Sequence, residues 1–124
     1  MSTTPDPRPR LGDRSGVPMV EGSRCGVCRH PSLWSPPRCA RCGAPRPERA
    51  TFGPAGTVWS STVVRVPVPG RTPPYGLAYV DVDDGPRLLA HVLAGDGVAA
   101  RLAPGTRVVL RGTTDDGDVL VATS

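Results

Sequence analysis

Two identical C-x-x-C pairs, Cys25 with Cys28 and Cys39 with Cys42, hold every cysteine of the chain. A C-x-x-C turn brings two sulfurs to one side of a tight knuckle. Two facing knuckles then offer four thiolates in the tetrahedral set that Zn²⁺ favours. Only ten residues separate the pairs, which restricts the segment to the small hairpins of a rubredoxin-like zinc ribbon. Gly43 follows the second pair, at a place where a positive φ turns backbone amides toward sulfur. Two disulfides would ask for an oxidising compartment, and a redox C-x-x-C sits where a strand meets a helix. Neither context surrounds these cysteines. With four thiolates and no open position, one zinc ion on Cys25, Cys28, Cys39 and Cys42 is expected to be structural.

A ribbon of this size cannot build its own core, so metal binding must hold it folded. The remaining length of a 124-residue chain suits one further domain. No apolar run follows a basic start, and the longest apolar stretch, residues 88–94, is interrupted by His91. A cytoplasmic protein that does not span a membrane is therefore expected. The net charge of +4 sits in the first half, where residues 1–50 carry nine Arg against four acids. Every basic residue is Arg and none is Lys, a bias more readily owed to a GC-rich genome than to selection for phosphate or carboxylate binding.

Residues 1–21, rich in Pro and Arg, read as a disordered tail because Pro5, Pro7, Pro9 and Pro18 forbid a long helix. The ribbon is assigned to 22–45, a connector to 46–54, and a barrel to 55–124. Within the barrel, alternation of β-branched residues predicts a long first strand at 57–66. A second follows at 79–83, with Ala78, Val80 and Val82 on one face, and Asp84-Gly85 turns the chain into a third at 87–93. A link over 95–105 has room for one helical turn at 98–102. Strands at 107–111 and 119–122, joined around Asp116-Gly117, complete the set. Five strands with that link describe an all-β chain ending in a five-stranded Greek-key barrel of the OB type, with an SH3-like barrel as the rival.

Little else points to chemistry. Gly95 to Ala100 matches a relaxed G-x-G-x-x-A pattern, but no βαβ unit surrounds it, and without Lys there is no Walker loop. Asp115, Asp116 and Asp118 lack the further ligands of a calcium loop and read as a polar turn. Asp81, Asp83 and Asp84 read likewise, as a solvated face and turn. His91 and the hydroxyls of Ser60, Ser61 and Thr62 lack an orienting group and a strained nucleophile turn, so His91 reads as a satisfied strand histidine. His30 lies beside a complete thiolate set. Ribbons and OB folds often bind nucleic acid, yet aromatics form only 4% of the chain and the barrel half is slightly acidic.

The order of motifs is more telling. Cys25 to Cys28 is followed by Trp34 with Pro36-Pro37-Arg38, by Cys39 to Gly43, by Gly56-Thr57-Val58-Trp59-Ser60-Ser61-Thr62-Val63-Val64, and by Pro73-Pro74-Tyr75. Over residues 22–121 this resembles the zinc-ribbon plus OB-fold family associated with acyl-CoA metabolism, long catalogued as a domain of unknown function. Relatives usually carry a helical segment before the ribbon, where this chain has its Pro-rich stretch. The resemblance implies a non-catalytic accessory subunit of a thiolase-like or related acyl-CoA enzyme, one that stabilises the complex and helps shape its channel for coenzyme A. A nucleic-acid-binding ribbon and barrel is the alternative, and a free-standing esterase or lyase a distant third.

Overall fold

The computed structural model describes residues 8–93, 99 and 101–124, and every regular element among them is a strand. Two bodies of sheet share one core. The first is built on β1 (Arg10–Arg14) and β2 (Val17–Arg24), an antiparallel hairpin with Arg10 opposite Glu21. Its two-residue turn, Ser15-Gly16, has φ of 53° and 85°, the left-handed pair that matches the twist of flanking strands. The expected disordered tail over 1–21 is thereby corrected for residues 10–21; residues 1–7 lie outside the described residues. The four prolines exclude a helix but not this hairpin. Pro18 falls where β2 has β1 as its sole neighbour, so its missing N–H breaks no second ladder.

The connector assigned to 46–54 is corrected in the same way. Short β3 (Pro31–Ser32) pairs with Ser23 and Arg24, and β4 (Glu48–Phe52) runs antiparallel to β2 from Val20 to Arg24. Val20 and Phe52 stand opposite each other, and both are almost fully buried in the cluster that fills the barrel.

The barrel consists of β5 (Ala55–Val64), β6 (Tyr75–Val82), β7 (Arg87–Val92), β8 (Arg107–Thr113) and β9 (Val119–Thr123). Its closed order is β5-β6-β7-β9-β8, with β7 and β9 parallel and β8 returning to pair with β5. That is the OB arrangement expected from the sequence. The long first strand is shared between two neighbours: its start pairs with β8, and Gly56 to Val64, apart from Trp59, with β6. Period-two burial places Val58, Val80, Leu88, Val108 and Val121 inside at about 1–2% exposure. Burying a side chain of this kind contributes about 1.5–3 kcal/mol, and these residues dominate the core. Alternation leaves Trp59 pointing out, and a bulge between Val58 and Ser60 then breaks the period, so that Ser60 is exposed as well. The predicted Asp84-Gly85 turn is present, with Asp84 at φ 55° and the Gly85 amide donating to the Val82 carbonyl at 2.8 Å. Of the helical turn predicted at 98–102, residues 98 and 100 lie outside the described residues, and residues 99, 101 and 102 are in no helix.

Candidate metal centre and docking surface

The two knuckles are built alike. The Arg29 amide donates to the Cys25 carbonyl at 3.1 Å and the Cys25 amide to the His30 carbonyl at 3.0 Å. In the second knuckle the Gly43 amide donates to Cys39 at 2.9 Å and the Cys39 amide to Ala44 at 2.8 Å. Gly43 has the positive φ expected of it, 79°, and Arg29 takes the equivalent position at 66°. Amides of Val27 and Cys28 point at Cys25 Sγ (both 3.4 Å), and that of Arg41 at Cys39 Sγ (3.3 Å).

These turns gather all four sulfurs within 4.8 Å of one another. Cys25 and Cys42 are 3.5 Å apart and Cys28 and Cys39 3.6 Å, far beyond an S–S bond and with each contact crossing between knuckles. Four sulfurs at about 2.3 Å from one tetrahedral ion would stand about 3.8 Å apart, so the donor set fits a metal of that geometry. The electrostatics agree. Amides of Cys28 and Val27 bring the Cys25 thiol down to about 6, and the Cys42 amide lowers Cys39. The His30 amide also pulls Cys28 down, but burial and the sulfurs of Cys39, Cys42 and Cys25 outweigh it and push that thiol up to about 11. A divalent cation facing all four would displace the protons that keep them unequal.

Both tryptophans of the chain are more than half exposed, Trp34 at 56% and Trp59 at 53%. Trp34 stands on the loop after β3, where buried Ser23 donates its hydroxyl to the Trp34 carbonyl. The Pro36-Pro37-Arg38 loop is tied down as well, through the Arg46 amide to Pro37 (3.0 Å) and the Arg38 guanidinium to the Gly43 carbonyl (3.1 Å). Trp59 meets Tyr79 edge-on at 6.0 Å and carries the Arg87 guanidinium over its face at 4.0 Å. Tyr79 pairs with Leu89 across β6 and β7, and both are 46% exposed. Sequence reading found Tyr79 on the central strands and made no use of its neighbour Trp59, although alternation from Gly56 and Val58 places that side chain outward.

The other candidates disperse. Asp81 and Asp83 are exposed, each held below the usual carboxylate range by a hydrogen-bonded arginine, Arg87 and Arg107. Ser61 is committed to the Leu102 backbone, its hydroxyl donating to the carbonyl and accepting from the amide, both at 2.7 Å. His91 meets Asp118 (3.5 Å) and the Tyr75 ring (5.7 Å), while Arg71 binds Asp118 (2.9 Å) and Asp116 (3.3 Å). Asp118, at the turn before β9, thus gathers three side chains, Arg71, His91 and, at 3.4 Å, Arg8. Gly95 to Ala100, apart from Ala99, lies outside the described residues.

A thiolate ribbon fused through a common core to a closed OB barrel defines the class. Residues 50–113 match the family model for the C-terminal OB-fold domain of ChsH2, and the chain belongs to that family. Two solved structures share the fold over most of the chain. One is described as an Ltp2-ChsH2(DUF35) aldolase, with 24% identity and a TM-score of 0.65 over 85% of this chain and 84% of that one. The other is a DUF35 protein of unknown function from Sulfolobus solfataricus, with 16% identity and a TM-score of 0.60 over 86% and 76%. No curated protein matches the chain. The family resemblance drawn from the motif order is borne out. Among the described residues no helix is long and apolar enough to cross a membrane.

Proposed function

We propose that this chain is a non-catalytic, zinc-binding accessory subunit of a thiolase-like or related acyl-CoA enzyme in the cytoplasm. Cys25, Cys28, Cys39 and Cys42 hold one structural zinc ion, and the ribbon and barrel dock on the enzyme, stabilise it and help shape its channel for coenzyme A. The observation that carries the reading is the exposure of both tryptophans. Tryptophan is ordinarily well buried in a monomer and enriched where proteins meet. Here each is held on a rigid support, one on a pinned loop and one on a barrel bulge, so little freedom is lost when a partner covers it. The pairing of ChsH2 with Ltp2 in the aldolase of similar fold supports an enzyme as that partner.

The test is co-expression with thiolase-like enzymes of the same genome followed by size-exclusion chromatography. A stable complex is expected, weakened by Trp34→Ala far more than by substitutions in the 115–118 turn. Separate elution, with turnover of CoA thioesters unchanged by the chain, contradicts the reading.

A further inference from the structure

A groove of about 630 Å³ crosses the outer face of the β1-β2-β4 sheet and ends at the loop after β3. Arg8, Arg10 and Arg49 line it together with Leu33 and Trp34, and its one acid is Glu21. The charges do not cancel. Glu21 folds its carboxylate over Gly12, so close that a Cβ there would stand 2.7 Å from Oε1. Arg8 reaches away to the barrel turn, to the Asp116 carbonyl and to Asp118 at 3.4 Å. Among the described residues neither Arg10 nor Arg49 makes an ion pair or a side-chain hydrogen bond, whereas Arg71, Arg87 and Arg107 are each committed to an aspartate. Two uncommitted guanidinium forks therefore share one groove with an exposed indole.

We propose that this groove receives an acidic, partly apolar segment of the partner protein, carboxylates on Arg10 and Arg49 and an apolar side chain on Trp34. The proposal rests on the accessory-subunit reading and names the chemistry of one of its contacts. Guanidinium forks match carboxylates in geometry and charge, and Arg and Trp are the residue types that anchor interfaces. A nucleic-acid strand fits less well, because the groove offers two uncommitted cations where a phosphate backbone asks for a row of them.

The test uses the full chain and a short fluorescein-labelled peptide of Asp, Glu and Leu, read by anisotropy. Controls are the same peptide with Lys for its acids, and oligothymidylate of equal net charge. The acidic peptide is expected to bind saturably, to weaken with added salt, and to shift the emission of Trp34 in a Trp59→Phe background. Arg10→Glu with Arg49→Glu is expected to lower its affinity by about tenfold or more. Unchanged metal content and melting temperature in that double variant exclude misfolding as the cause. No saturable binding, unchanged affinity in the double variant, or oligothymidylate binding as tightly as the peptide overturns the proposal. The two readings fail separately. An enzyme complex that survives the double charge reversal contradicts the groove alone, while peptide binding by a chain that joins no enzyme contradicts the accessory role alone.

Discussion

Phe52 of β4 lies against Gly85 of the β6–β7 turn so closely that a Cβ at residue 85 would stand 2.8 Å from the Phe52 Cβ. Glycine is required there by the approach of a ring. Arg24 stands over the Phe52 ring at 5.2 Å and donates to the Asp84 carbonyl, so ribbon sheet and barrel are locked at one point. Removing the ring leaves a cavity, and Phe52→Ala is expected to destabilise the fold by about 3–5 kcal/mol. Gly85→Ala forces the ring to move, at about 1–3 kcal/mol. Urea denaturation with the metal bound measures both; a loss below about 1 kcal/mol in Phe52→Ala would show that the two sheets are not coupled through it.

The barrel was legible in the sequence because its strands alternate: Ala78, Val80 and Val82 face inward as read, and the Asp84-Gly85 turn falls where predicted. The cysteine knuckles were legible from spacing alone. The β1–β2 hairpin was not, because proline content outweighed the Ser15-Gly16 turn signal between Leu11 and Val20. β4 was missed because its partner β2 is remote in sequence and because the alternation over Arg49 to Phe52 is too short to mark a strand by itself. No local signal marks the Phe52 contact with Gly85, which arises from tertiary packing; the outward direction of Trp59 was legible in the alternation of β5 and went unused.

Gly43 and Arg29 occupy matching left-handed positions in the two knuckles, one by a residue suited to it and one not. Nothing lies within 4 Å of a Cβ at Gly43, so Gly43→Ala acts through backbone strain alone, about 1–2 kcal/mol. Arg29→Gly relieves the same strain but gives back part of the gain to chain entropy, and a net stabilisation of about 0.5 kcal/mol is expected. Thermal unfolding of the zinc-loaded variants checks the opposite signs.

Metal analysis of the purified chain is expected to find about one zinc per molecule, and a cobalt-substituted form to show the charge-transfer bands of thiolate ligation. Cys39→Ser should lose the metal and unfold the ribbon. Because Val20 and Phe52 belong to the barrel's core, that loss should also lower the barrel's melting temperature. A metal-free chain with an unchanged melting curve would contradict the shared core.

His91 is held below its ordinary value of 6.5, first by burial and then by Arg71, against the opposing pull of Asp118 and Asp116. The folded state therefore favours the neutral ring. Above pH 6.5 this adds no pH dependence; as pH falls through 6.5 the unfolded chain takes up the proton first, and stability declines until the folded pKa is passed. The slope from this group stays below about 1.4 kcal/mol per pH unit. In His91→Gln the decline between pH 6.5 and 5 should flatten, as read by urea midpoints across that range; an identical slope would assign it to other groups.

The most direct measurement of the central claim is a calorimetric titration of the chain into a purified thiolase-like enzyme of the same genome. Saturable binding with a negative heat-capacity change is predicted, as burial of both tryptophans requires. Trp34→Ala with Trp59→Ala should reduce the affinity by about a hundredfold or more, since each is placed as an interface anchor. An absence of binding heat at several temperatures, or full affinity in the double variant, would contradict the account.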